Sequence, residues 1–283
     1  MDSSPAIKKG WLRVILFLVF YILLTLFGSA MIGILFIIAG LPTTDSAMFY
    51  GGTVLIFLFS FLSVWVFRKA FDRKTMSSLG FQWKGYSAER NIGFVTGILA
   101  ITFIATILWA MQLLQWFTVS INWWDILQVT FVLILVSFSE ELVFRGYILN
   151  NLLQSMPKMP ALLVSAILFA GFHTLNPDMS LLSFLNIFIA GMLMGVNYIF
   201  SRNLWFSIYF HFSWNFFQGP VLGFEVSGLD LPVMLEQNLR GSNLLTGGAF
   251  GLEASWLATF TLSLTCILLY ASFQKKYNGN PHV

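Results

Sequence analysis

Three runs of apolar residues, 11–39, 48–67 and 92–114, are each at least as long as the roughly 18 residues a helix needs to cross hydrocarbon. Five further stretches, 126 to about 154, 160 to about 175, 180–200, 204 to about 218 and 256–273, share this character, some of them shortened or interrupted by polar residues. Backbone N–H and C=O groups in lipid must be satisfied within the protein, which leaves only helices and closed barrels. These stretches are too long and too uniformly apolar for barrel strands. The expected fold is all-α: a polytopic membrane helix bundle of about eight transmembrane helices around a mid-membrane polar cavity. With 58% hydrophobic and 10% charged residues and a mean hydropathy of +0.81, no segment is polar enough to bound a separate soluble core.

Basic residues set the expected orientation. Lys8, Lys9 and Arg13 lie before or at the first span, and Arg68, Lys69, Arg73, Lys74, Lys84 and Arg90 lie between the second and third. Alternation through eight spans adds Lys158, Arg202, Lys275 and Lys276 to the same side, so thirteen of the fifteen Lys and Arg residues face the cytoplasm and Arg240 faces out. The expectation is a multi-pass plasma-membrane protein with both termini cytoplasmic. The first span follows a basic start and contains small residues at Gly28, Ser29 and Ala30, but its apolar run resumes to residue 39, which reads as an uncleaved anchor rather than a signal peptide. A net charge of +3 on such a chain is no sign of nucleic acid, and the single Cys266 excludes an internal disulfide or a multi-cysteine metal site. The longest outside segment, 219–255, carries Glu225, Asp230, Glu236, Arg240 and the glycines 247, 248 and 251, and reads as either a lid or a linker.

Ionisable groups inside a bilayer are costly and persist mainly where they face a bundle interior and do something. On the fourth span, residues four apart share a helix face, so Glu141 and Arg145 can pair, leaving Glu140 about 100° away without a local counter-ion. Glu140 is then the spare acid or base. A purely structural role, as a buried ion network that fixes packing, is the competing reading of this motif. On the fifth span Phe169 and His173 lie one turn apart, with Gly171 expected to admit a close neighbour, and His173 can ligate, donate or shuttle. On the seventh, His211 and Asn215 share a face, and an imidazole with a carboxamide can form an oxyanion hole. A lone membrane histidine is more often an interhelical hydrogen-bond partner. Here, however, both non-terminal histidines belong to the set, and at 1.5 Å per residue the polar groups come to similar depths, roughly 15–20 Å from the cytoplasmic ends of their helices.

Glu140 to Arg145 followed by Gly146, Phe169 to His173, and His211 to Asn215 resemble the EExxxR, FxxxH and HxxxN motifs of the CAAX protease and bacteriocin-processing (Abi) family of glutamate-dependent intramembrane proteases. The resemblance covers about 126–220. It divides the chain into three N-terminal spans (1–115), a CAAX protease/Abi-like catalytic core (116–220), and an outside loop with the C-terminal helix (221–283). It implies eight helices around a conical, water-accessible cavity in a bacterial membrane. It also implies that Glu140 activates water with His173, that His211 and Asn215 stabilise the oxyanion, and that Glu141 and Arg145 hold the site together. The implied partner is a peptide or membrane-protein substrate, lipidated in some branches of the family, together with the lipid bilayer. No cofactor is expected. The alternative is a catalytic zinc held by Glu140, His173 and His211, against which stands the lack of an HExxH helix. Two non-proteolytic classes also fit buried polar groups: a membrane scaffold or bacteriocin immunity protein, and a transporter, whose usual internal repeat is not evident in the chain.

Overall fold

In the computed structural model, residues 4–40, 44–119 and 121–278 are described. Six helices are long and apolar enough to cross a membrane, so the chain is a multi-pass membrane protein with an all-α bundle. Four of these are α1 (Gly10–Ile38), α2 (Asp45–Phe67), α3 (Ser87–Ala110) and α4 (Trp123–Glu141), the last continuing through a π-helical segment, Leu142–Leu149, to Leu152. The two expected spans that fall short are α5 (Lys158–Phe172) and α7 (Trp205–Phe216), at 15 and 12 residues. The series closes with two full-length helices, α6 (Leu181–Ser201) and α8 (Trp256–Asn278).

Local chemistry explains the boundaries. Thr44 and Asn122 cap α2 and α4 by accepting from Ala47 N at 3.3 Å and Trp124 N at 3.0 Å. Ser180 and Ser183 form a reciprocal capping box at the start of α6. The span expected at 92–114 begins five residues earlier and ends at Ala110, because the chain turns through Gln112 at φ 60° and enters a strand. That strand, β1 (Leu114–Thr118), pairs antiparallel with β2 (Leu235–Leu239), from Leu114 opposite Leu239 to Thr118 opposite Leu235. No strand was expected in this chain.

The 15 residues of α5 rise only about 22 Å, and the 12 of α7, even with the π-helical turn Phe217–Val221 that continues it, about 25 Å, less than the roughly 30 Å of a hydrocarbon core. The end of the bundle away from the chain termini, called distal below, is completed by folded loops instead. Segment 219–255 is therefore structured: it contributes β2, the helical turn Asn243–Thr246 and two 3₁₀ turns. Gly251, at φ 95°, abuts the Glu225 carbonyl so closely that a side chain there would overlap it. At the proximal end, Arg13 and Arg68 both donate to Asp72, tying α1 to the π-helical turn that follows α2. Between these ends α3 packs along α7, where Gly93 lies against the Phe206 carbonyl and Gly97 against Ser213.

Candidate active site

Glu140 and Glu141 end α4 where the helix widens into its π-helical segment. The wide turns return Arg145 beneath Glu141, and Arg145 Nη1 donates to Glu141 Oε1 at 2.7 Å while Nη2 donates to the Gly191 carbonyl at 2.9 Å. Both side chains are fully buried. The guanidinium also stacks on the Phe169 ring, 4.4 Å from its centroid. Glu141 and Arg145 pair as the spacing predicted, and Glu140 is left to the cavity, its side chain 27% exposed.

His173 follows the last residue of α5. Its Nδ1 lies 2.8 Å from the Phe169 carbonyl, which can only accept, so Nδ1 carries the proton and the lone pair sits on Nε2. The same residue, Phe169, thus orients His173 with its backbone and Arg145 with its ring. His211 on α7 is fixed in the same way: its Nδ1 is 3.1 Å from Glu141 Oε1. Both Nε2 atoms then point at one oxygen, with Glu140 Oε2 standing 3.7 Å from His173 and 3.9 Å from His211. That oxygen is buried and has no hydrogen-bond donor among the described residues. Asn215, one turn beyond His211, lines the same cavity of about 560 Å³. All six sequence-predicted residues therefore gather at one place, four on the cavity and the Glu141–Arg145 pair beneath it.

One expectation fails. Gly171 admits no close neighbour, and nothing lies within 4 Å of where its side chain would project. The close approach in this region is made by Gly191 of α6 against Ala166 of α5, where a Cβ added to Gly191 would lie 3.1 Å from the Ala166 Cα, and the Gly191 carbonyl is within reach of Arg145.

The geometry bears on zinc as well. Two ligands on a tetrahedral zinc with bonds of 2.0–2.1 Å lie about 3.3 Å apart. The spacings of 3.7 and 3.9 Å are wider, and among the described residues no group of three His, Cys, Asp or Glu side chains converges tightly enough to hold an ion.

Sequence reasoning missed several lining groups. Tyr21 and Thr25 of α1 and Thr53 of α2 reach the cavity, and Glu253 and Ser227 arrive from the distal loop. Asn176 and Asn186 anchor that loop: Asn176 Nδ2 donates to the Ser227 carbonyl at 3.1 Å, and Asn186 Nδ2 to the Glu253 carbonyl at 2.7 Å. Burial pushes the Glu253 carboxyl up from its ordinary value, opposed by hydrogen bonds from Ser227 and, when its ring is protonated, by His173. No sequence spacing could have flagged Glu253, which stands 42 residues beyond His211 on a loop.

Residues 122–217, from the cap of α4 through the end of α7, match the family model of the type II CAAX prenyl endopeptidase Rce1-like proteins, and the match contains all six motif residues. In comparisons with curated proteins and with solved structures, the chain has no match. Through this segment, about a third of the chain, whose residues supply the converging glutamate and histidines, the protein is similar to the Rce1-like type II CAAX prenyl endopeptidases.

Proposed function

We propose that the chain is an intramembrane endopeptidase of glutamate type, cutting a membrane-associated or peptide substrate, with a lipidated segment as one substrate form. The observation that carries this reading is the convergence of two imidazole Nε2 atoms on the orphaned Glu140 Oε2. A water in that gap can donate one hydrogen to Glu140 and the other to a histidine, leaving a lone pair free for attack. Glu140 takes the water's proton as the C–O bond forms, and the carbonyl oxygen becomes an oxyanion. Collapse of this intermediate breaks the C–N bond, and the proton held by Glu140 passes to the departing amine.

Asn215 donates to the oxyanion through its carboxamide N–H. For His211 to donate as well, its ring must be a cation, a form that Glu141 at its Nδ1 supports. No step requires a metal ion. Were zinc bound, Glu140, His173 and His211 would be its ligands and would have to draw closer together. The protein is assigned to a plasma membrane with both termini cytoplasmic.

The test uses purified protein in nanodiscs, a fluorogenic peptide library that includes prenylated tails, and the Glu140→Gln variant. Turnover should fall by about 10²–10⁴-fold, as for loss of a general base, with unchanged thermal stability. Chelator should leave the wild type active. Loss of activity with chelator, restored by zinc, would replace the metal-free mechanism, and equal cleavage by Glu140→Gln would remove Glu140 from it.

A further inference from the structure

Of the two carboxyls that line the cavity, Glu253 lies outside the segment that matches the family. It is held firmly: Oε2 accepts from the backbone N and the Oγ of Ser227 at 2.8 and 2.9 Å, and Asn186 grips its carbonyl. What it lacks is a permanent counter-charge, the basic groups of the described cavity lining being the imidazoles of His173 and His211. The cavity lining contains no Lys or Arg. Glu225, whose carbonyl abuts Gly251 two residues from Glu253, is likewise pushed up, by burial first and then by the charges of Asp230 and Asp178, so it brings no positive charge to this end. Gln218, whose side chain reaches Glu253, has a fully buried Oε1 with no donor among the described residues. The opposite walls, from α2 and α4, are apolar, with Ile56, Val132 and Val136.

We propose that the distal wall of the cavity, centred on Glu253, is a subsite for a cationic group of the peptide substrate, either a lysine or arginine side chain or a free amino terminus, close to the bond that is cut. The inference rests on the endopeptidase reading and names its substrate class. A buried carboxyl without a permanent counter-charge gains more from an ammonium or guanidinium donor than an exposed one does, because charge-assisted hydrogen bonds strengthen where water is excluded. An acidic residue placed there would face Glu253 and Glu140 together and be repelled.

Binding can be measured without turnover. Fluorescent peptides identical except for Lys, Gln or Glu at one position, all amino-acetylated, together with an unacetylated Gln peptide, are titrated against Glu140→Gln protein. The protein is held in zwitterionic phosphatidylcholine nanodiscs, where lipid charge attracts nothing. The Lys peptide or the free-amino peptide should bind about tenfold more tightly than acetylated Gln, with Glu weaker still, and which of the two gains identifies the cation's source. Adding Glu253→Gln should erase the difference, whereas Glu253→Asp should keep most of it. Equal affinity for all four peptides, detectable or not, overturns the subsite without any need for the Glu253 variants to fold, as does a preference that survives Glu253→Gln in folded protein. The endopeptidase reading fails separately, if folded wild-type protein cuts none of the peptides.

Discussion

Glu141 Oε1 accepts from both Arg145 and His211, so one buried carboxylate oxygen joins α4 to α7 and sets the ring that faces Glu140. Removing one partner of a buried ion pair leaves the other charge uncompensated, which typically costs 3–5 kcal/mol. Arg145→Gln should therefore destabilise the protein by about 3 kcal/mol, read as a lower thermal unfolding midpoint in detergent, and should lower turnover as His211 loses its fixed partner. Unchanged unfolding would show that Glu141 is held by something other than Arg145. The motif spacing already separated the two glutamates, because a four-residue interval on a helix leaves only Glu141 opposite the arginine. It could not show that Phe169 serves through its carbonyl and its ring at once, since neither contact follows from hydrophobic periodicity.

Two glycines test how the helices come together. Gly97 of α3 packs against Ser213 and the Phe210 carbonyl of α7, two residues from His211 on one side and from Asn215 on the other. Gly97→Val should force the helices apart, lowering stability by about 1–3 kcal/mol and activity with it. Gly171→Ala, with open space around it, should be neutral or stabilise by up to about 1 kcal/mol through helix propensity. Thermal unfolding of both variants decides the matter, and a damaging Gly171→Ala would mean that a neighbour does approach there. At this scale the long apolar runs made most helices legible. The strands were not, because Leu235–Leu239 reads Leu-Glu-Gln-Asn-Leu, with no β-branched residue, and becomes a strand only by pairing with β1. The shortness of α5 was also hidden, since Leu175 prolongs its apolar run past the helix end at Phe172.

The whole molecule is electrically lopsided, and its orientation follows from that. Lys8, Lys9, Lys69, Lys74, Lys84, Lys158 and Lys275 all belong to the end that carries the chain termini, whereas Asp125, Asp178, Glu225, Asp230 and Glu236 belong to the distal end. Arg13 and Arg68, which count toward the same bias in the sequence, are buried against Asp72 and so contribute to packing rather than to the headgroup layer. The exposed lysines that remain still far outnumber Arg240, so the positive-inside rule predicts that the terminal end faces the cytoplasm and the Glu253 wall the outside. In a Cys266→Ser background, Leu244→Cys should react with a membrane-impermeant maleimide on intact cells, and Lys158→Cys only after permeabilisation. Both positions are exposed in the fold, so the readout measures sidedness rather than burial. The reverse pattern would invert the bundle and bring the acidic wall of the cavity to the cytoplasmic side. Peptides would then reach that wall from within the cell, and the distal loop would be tested against cytoplasmic rather than external substrates.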